Sequence, residues 1–108
     1  MKFGVFLPSA RNGFTISEAA PLYDPSFEHN LAVTQEAERQ GFSFALAMMK
    51  WKGFGGSTGY WDACLEPFTL CAGLAARTST IELIPSGTLL TTHPAVCARM
   101  VATIGDIS

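Results

Sequence analysis

The sequence predicts an α/β protein in which helices cover a parallel sheet. Three short apolar segments, typical of buried strands, alternate with three segments that carry helical periodicity or helix-start signals. Strands that are apolar throughout are typical of parallel sheets, and parallel strands need crossover connections, which are usually helical. The alternating order therefore predicts three consecutive βα units.

The first unit begins with KFGVFLP, Lys2 to Pro8, an apolar run that a proline ends. The polar segment from Ser9 to Asp24 is interrupted by Gly13 and Pro21, and it is long enough to indicate a functional loop. Asp24 followed by Pro25 predicts the start of the first helix with Asp24 as its N-cap. Gly41 predicts the end of this helix, where a left-handed residue is favoured.

The second and third units repeat this pattern. Their strands are predicted at Phe42 to Met49 and Thr80 to Gly87. Their helices are predicted at Phe68 to Ala76, with Pro67 in the first turn, and at Pro94 to Ile104, with His93 at or near the first turn.

Two architectures begin with this order of elements, a doubly wound sheet and a (β/α)₈ barrel. A dinucleotide-binding doubly wound sheet requires GxGxxG directly after its first strand, and this chain has PSARNG there. A barrel places its ligand loops after the carboxyl ends of its strands, where this chain has its longest loops. Because a barrel needs about 200 or more residues, we expect residues 1–108 to be the N-terminal part of one barrel domain, ending before its fourth strand.

Composition argues against several classes of function. The formal net charge is −2 and the seven Lys and Arg residues are scattered, unlike the clustered bases of a nucleic-acid-binding face. No apolar run approaches the roughly 18–20 residues that span a bilayer, so no membrane partner is expected. Cys64, Cys71 and Cys97 include no CxxC pair, so we expect no disulfide framework and no metal site. Reduced thiols are typical of a cytoplasmic protein.

The stretch MMKWKGFGGSTGYWD invites comparison with a phosphate-binding loop. A Walker loop needs lysine and a hydroxyl after its glycines, whereas Lys50 and Lys52 precede them here, so that interpretation is excluded. Met48, Met49 and Lys50 lie at the carboxyl end of the predicted second strand, on the ligand edge of either architecture, where a cation can bind an anion. A solvated Lys50 is an equal alternative. Ser86 offers a hydroxyl just after the apolar core of the predicted third strand, with a turn or capping role as its equal alternative.

Three strings resemble the N-terminal third of the flavin-dependent pyrimidine monooxygenases, which belong to the bacterial-luciferase-like superfamily. These strings are FALAMMKWKGFGGSTGYWD, LEPFTLCAGLAARTSTIEL and HPAVCARMVATIGDIS. The pattern K-x-x-GFGG-x-T-x-x-WD, from Lys50 to Asp62, is the more specific part of this similarity. The later strings are shared in looser form with alkanesulfonate and dimethylsulfone monooxygenases.

The resemblance implies a luciferase-like (β/α)₈ TIM barrel that uses reduced FMN, FMNH2, supplied by a partner flavin reductase that consumes NADH. With O2, such an enzyme opens the ring of uracil or thymine at the N3–C4 bond and gives a ureidoacrylate peracid. The resemblance also implies a homo-oligomer in the full-length protein. The alternatives are an alkanesulfonate or dimethylsulfone monooxygenase and an inactive, flavin-binding piece of a barrel.

Carried over by motif, Met49 and Lys50 match the pair that contacts FMN at the end of the second strand. Leu46 matches a position near the flavin and oxygen pocket. Ser86 falls where the family has threonine after the third strand, and the resemblance implies a catalytic place for it in the oxygen or substrate pocket. We also expect a glycine-hinged, apolar cover that excludes water and carries the aromatic residues Phe54, Tyr60 and Trp61.

Overall fold

The computed structural model describes all 108 residues and confirms the α/β class with three βα units. The strands are β1 Gly4–Phe6, β2 Phe44–Ala47 and β3 Glu82–Pro85, and the helices are α1 Phe27–Arg39, α2 Pro67–Ala75 and α3 Pro94–Ile107. The strands are shorter than the predicted apolar segments, and flanking apolar residues such as Leu7 and Ile81 pack in the core just outside them. None of the helices combines the length and apolarity needed to cross a membrane.

The three strands form one parallel sheet in the order β1-β2-β3. Helices α1 and α2 pack on one face of it, and α3 lies on the same side, packed against α2. Ala37 of α1 and Leu70 of α2 belong to one hydrophobic cluster, and Ile104 of α3 packs against that cluster. The central strand contributes only alanines to this face, and their small side chains let the helices approach closely. The buried cluster consists of Leu7, Ala37, Ala45, Ala47, Leu70, Cys71, Leu74 and Ile81.

The opposite face of the sheet carries a row of apolar side chains that no helix covers. Phe6, Leu46 and Ile84 are direct neighbours across the three strands. Phe6 is 45% exposed and Ile84 is 38% exposed, whereas the helix-covered face is buried. Helices therefore cover one apolar face of the sheet, whereas the apolar row on the other face is partly exposed.

Helix α1 begins two residues later than the sequence predicts. Ser26 is its N-cap, and the Ser26 hydroxyl accepts a hydrogen bond from His29 N–H at 3.2 Å. The prediction that Asp24 caps this helix was wrong, because the Asp24 carboxylate instead pairs with the Arg11 guanidinium at 2.6 Å. Pro25 accordingly lies before the helix rather than in its first turn.

The predicted end of α1 is confirmed at Gly41. Its φ of +80° lies in the left-handed region, which glycine adopts without strain. The N–H groups of Gly41 and Phe42 donate to the carbonyls of Glu38 and Ala37, at 3.0 Å each. This paired arrangement satisfies carbonyls that the helix end would otherwise leave free.

The two later helices are capped by side chains that directly precede them. The Glu66 carboxylate accepts two backbone N–H bonds from the first turn of α2, and Pro67 stands at the first helical position as predicted. His93 is the N-cap of α3, and its Nδ1 accepts a hydrogen bond from Ala95 N–H at 3.2 Å. Helix α3 extends to Ile107, three residues beyond the predicted end.

Candidate functional site

Two loops lie side by side at the carboxyl edge of the sheet and form one layer, which we call the loop layer. The first loop comprises residues 7–26, after β1, and the second comprises residues 48–66, after β2. Ala10 and Cys64 form an antiparallel bridge between them. The bridge is made by hydrogen bonds from Arg11 N–H to Ala63 O at 2.8 Å and from Leu65 N–H to Ser9 O at 2.9 Å, and Trp61 N–H donates to Arg11 O at 3.3 Å.

Asn12 connects three segments of this layer through its side chain. Its Nδ2 donates to Thr58 O at 2.7 Å, and its Oδ1 accepts from Tyr23 N–H at 3.2 Å. Asn12 is 4% exposed and has a φ of +63°, followed by Gly13 at +52°. Sequence reasoning assigned Asn12 no role, although an Asn-Gly pair is a signal for consecutive left-handed residues.

The glycine-rich stretch is a hydrogen-bonded turn. Phe54 N–H donates to Tyr60 O at 2.9 Å, and the Asp62 carboxylate accepts from Gly55 N–H at 3.0 Å. At Gly53 the two sides of the turn touch, since a Cβ there would lie 2.4 Å from the Asp62 nitrogen. Positive φ angles occur at Gly55, Gly56 and Gly59. These bonds show that the turn is held closed within itself.

The aromatic residues of this turn pack on one another, with very different exposures. Tyr60 and Trp61 stack at 4.8 Å between ring centroids, and Phe54 lies 5.7 Å from Trp61. Tyr60 is 8% exposed, whereas Phe54 is 67% exposed. The Trp61 indole N–H donates to Gly13 O at 2.6 Å, which fixes the ring against the first loop. Closure of this group over a ligand stays a prediction.

Lys50 leaves the end of β2 toward these aromatic rings. Its Nζ lies 4.1 Å from the Phe54 ring centroid and 5.5 Å from the Trp61 ring centroid, within the range of cation–π attraction. The ion pairs of the chain are Lys2–Glu82, Arg11–Asp24 and Arg39–Glu36, so the half-buried Lys50 has no carboxylate partner.

Ser86 ties the ends of β2 and β3 together. Its hydroxyl oxygen accepts a hydrogen bond from Met49 N–H at 2.7 Å, and its own N–H donates to Ala47 O at 2.9 Å. The structure thus brings Met49 and Ser86 together across 37 residues of sequence. Leu46 lies on the open face of the sheet, in the row with Phe6 and Ile84.

A cleft of about 430 Å³ opens between the two loops on the outer side of the glycine-rich turn. Ile16 and Glu18 line it from the first loop, and Phe54, Ser57 and Tyr60 line it from the second. The Ser57 hydroxyl donates to the Glu18 carboxylate across the cleft. Sequence reasoning did not single out Ile16 or Glu18, because nothing local marks them.

Cys64 and Cys71 do not supply a reactive thiolate. Burial raises the pKa of the Cys71 thiol to about 12, and burial also raises the pKa of Cys64. Both thiols are therefore protonated at neutral pH, and the thiolate is the reactive form. No group of three or more His, Cys, Asp and Glu side chains is placed to hold a metal ion. The site offers a cation, a hydroxyl and apolar surfaces.

Comparison with known proteins gives this geometry a family context. The luciferase-like monooxygenase family matches residues 1–108. Proteins named pyrimidine monooxygenase RutA are similar over all 108 residues: 55% identity for the protein of Cronobacter turicensis, 55% for that of Escherichia coli O7:K1 and 53% for that of Caulobacter vibrioides. The chain spans 29%, 33% and 30% of the lengths of these relatives. The match extends along the whole chain, and the chain therefore belongs to the luciferase-like monooxygenase family.

Proposed function

We propose that the protein carrying this chain is an FMNH2-dependent monooxygenase that opens the ring of uracil or thymine with O2. The proposal rests on the family and on identities of 53–55% with relatives named pyrimidine monooxygenase. The structural observation that carries it is the Lys50 ammonium, which lies without a carboxylate partner at the carboxyl edge of a parallel sheet. That edge is where α/β proteins bind ligands.

The proposal includes a (β/α)₈ barrel to which this chain contributes the first three βα units. The strand order β1-β2-β3 and the three helices on one face agree with a segment of a barrel wall. In a closed barrel, the open row of Phe6, Leu46 and Ile84 would point inward and pack against the remaining strands. A doubly wound sheet would instead place helices on both faces.

The residues present suit a flavin nucleotide, which is anionic, planar and aromatic. Lys50 would bind an anionic group of FMN, and Met49 would lie against the flavin, with its backbone held by Ser86. Leu46, on the apolar row, would border the flavin and oxygen pocket and help to exclude water. When bound, reduced FMN supplies the electrons with which O2 is activated.

Ser86 has two roles in this proposal. Its oxygen accepts the Met49 N–H bond and so positions the cofactor-binding segment. Its hydroxyl hydrogen has no acceptor within the chain, so Ser86 keeps one donor for a ligand in the oxygen or substrate pocket. A threonine would provide the same donor with one more methyl group.

The remaining partners follow from the same proposal. A flavin reductase that consumes NADH would supply the reduced FMN, and the full-length protein would be a cytoplasmic homo-oligomer. No residue of this chain is assigned to either contact, and both are tested by reconstitution of the purified proteins.

The decisive experiment is an assay of the whole protein with uracil, NADH, FMN, O2 and a flavin reductase. We expect uracil consumption that depends on each component. Oxidation of an alkanesulfonate or of dimethylsulfone, with uracil untouched, would replace the proposed substrate class. Flavin binding without turnover of any of these compounds would indicate a non-catalytic relative.

Replacing Lys50 tests the cofactor assignment directly. Lys50→Ala should raise the Kd for reduced FMN by about tenfold or more, since hydrogen bonds to charged groups contribute about 1.5–3 kcal/mol. Anaerobic titration of the flavin gives this Kd without any turnover. Lys52→Ala is the matched control, because Lys52 is exposed and makes no ion pair. Equal affinity in the wild type and Lys50→Ala would remove Lys50 from the site.

A further inference from the structure

The Lys50 side chain lies in an environment that is unusual for a lysine without an ion pair. It is half-buried, yet the carboxylates of the two loops are engaged elsewhere. Asp24 pairs with Arg11, Asp62 accepts the Gly55 N–H, and Glu18 accepts the Ser57 hydroxyl. The ammonium charge is thus left for a ligand.

Two aromatic rings define where this ammonium lies. Phe54 and Trp61 are tilted by 44° to each other, and Lys50 Nζ lies over both ring faces at 4.1 and 5.5 Å from their centroids. The faces of aromatic rings carry the negative part of the ring quadrupole and attract cations. Unlike a carboxylate, a ring does not neutralise the ammonium, so the charge remains able to bind an anion.

Both rings are themselves held in place. Trp61 donates its indole N–H to Gly13 O at 2.6 Å and stacks on Tyr60. Phe54 also stacks on Tyr60, with 5.9 Å between centroids, and its N–H is bonded to Tyr60 O. The buried Tyr60 therefore supports both rings, although Phe54 itself is 67% exposed. Core packing does not account for so exposed a ring.

We propose that Phe54 and Trp61 are positioning residues, which hold the Lys50 ammonium at the carboxyl edge of the sheet for the anionic group of the flavin. This inference rests on the proposed function, and it gives the aromatic residues of the glycine-rich turn a role different from covering the substrate. The ring faces restrict the flexible lysine stem before the ligand arrives, which lowers the entropy lost on binding.

The contact is tested first without any ligand. In proton NMR spectra of the whole protein, the ε-methylene protons of Lys50 should be shifted upfield by the ring currents of Phe54 and Trp61. Phe54→Leu should reduce this shift, whereas Phe54→Tyr should retain it. Phe3→Leu is the matched control, since Phe3 is 61% exposed and lies before β1, away from the loop layer. An unchanged Lys50 signal in Phe54→Leu would overturn the proposal.

The role is tested by the Kd for reduced FMN in Phe54→Leu, Lys50→Met and the double variant. Phe54→Leu should weaken flavin binding by about 2- to 5-fold, the size of an exposed cation–π contact. Phe54→Tyr keeps an aromatic ring and should bind reduced FMN as tightly as the wild type. In the Lys50→Met background, Phe54→Leu should have no further effect. An equal loss in both backgrounds would mean that the ring acts independently of Lys50, and it would overturn the proposal.

The outcomes separate this proposal from the proposed function. If Lys50→Met weakens flavin binding but Phe54→Leu does not, the flavin assignment stands and the positioning role falls. If the wild-type protein binds no reduced FMN, the proposed function fails and the positioning role falls with it. A direct contact between Phe54 and the flavin would appear as a loss that persists without Lys50.

Discussion

The helix-covered face of the sheet and the loop layer at its carboxyl edge are stabilised by different kinds of interaction. The covered face is a cluster of apolar side chains, such as Leu74 and Cys71, with few polar groups. The loop layer depends on particular hydrogen bonds, on left-handed residues such as Asn12, and on close backbone contact at Gly53. The covered face should tolerate substitution by other apolar residues of similar size, whereas the loop layer should tolerate few substitutions.

This difference predicts how the two regions respond to substitution. Removal of volume from the covered face should lower the stability of the whole fold, because the helices share one cluster. Removal of a side-chain bond from the loop layer should instead open that layer locally and leave the core folded. The variants below measure the two responses.

The largest effect is expected for Leu74→Ala on the covered face. Leu74 is fully buried, and its truncation should lower the free energy of unfolding by about 2–5 kcal/mol through lost burial and the cavity left behind. Denaturant titration measures this as a lower midpoint with an unchanged m-value. Leu90→Ala, at a residue that is 96% exposed, should have almost no effect. Similar midpoints for the two variants would contradict the assignment of the core.

A smaller and more local effect is expected for Asn12→Ala. The change leaves Thr58 O and Tyr23 N–H without their Asn12 partners and places a Cβ-bearing residue at a φ of +63°. The loss should be about 1–3 kcal/mol, confined to the loop layer. Hydrogen exchange should show faster exchange of the Tyr23 amide, while amides of α2 keep their protection.

Two further variants at this position separate its backbone from its side chain. Asn12→Gly accepts the left-handed φ but still lacks both side-chain bonds, so its Tyr23 amide should also exchange quickly. Asn12→Asp keeps an acceptor for Tyr23 and loses the donor to Thr58, so that amide should stay protected. Slow exchange in Asn12→Gly would show that backbone conformation alone holds the layer.

The smallest effect is expected from Glu38, which joins α1 to the segment before β3. Its carboxylate accepts backbone N–H bonds from Thr80 and Ser79, and these bonds hold its pKa at about 2, below the ordinary 4.5. Because the pKa is lower in the folded state, the stabilisation is present above about pH 4.5 and is lost as the pH falls toward 2. Solvent still screens this half-buried group, so the contribution should stay below about 1 kcal/mol.

Glu38→Gln tests this pH dependence by unfolding at several pH values. Between pH 5 and 2 the variant should lose less stability than the wild type, since the glutamine does not titrate. Glu36→Gln is the comparison, because the pKa of Glu36 is also about 2 but results chiefly from its bond to Arg39 on the same helix. Added salt should weaken the pH dependence due to Glu36 more than that due to Glu38, because Glu36 is paired with a charged group. Identical plots of stability against pH for the wild type and Glu38→Gln would show that Glu38 does not contribute to the pH dependence.

Local patterns were sufficient for the elements but not for their contacts. Apolar runs and the turn residue Gly41 predicted three βα units, and Pro67 predicted the start of α2, because each signal acts within a few residues. Asp24 does not cap α1 because its carboxylate binds Arg11, a partner 13 positions away along a folded loop. No periodicity reports such a partner.

At the candidate site, too, local patterns predicted the residues but not their contacts. The order of lysines and glycines excluded a Walker loop, and the ends of the predicted strands indicated Met49, Lys50 and Ser86 as candidates. The interactions of each residue depend on neighbours that the fold brings close. The Ser86 hydroxyl, for example, accepts a hydrogen bond from Met49 N–H.

The sequence by itself determined the class of fold and the order of its elements, since hydrophobic period and turn chemistry are local properties of a chain. Only the tertiary structure decided that the Lys50 ammonium lies against Phe54 and Trp61, and that Asn12 joins two loops. Such contacts depend on how closely separate loops approach in space, and that distance is set by the packed sheet and helices beneath them.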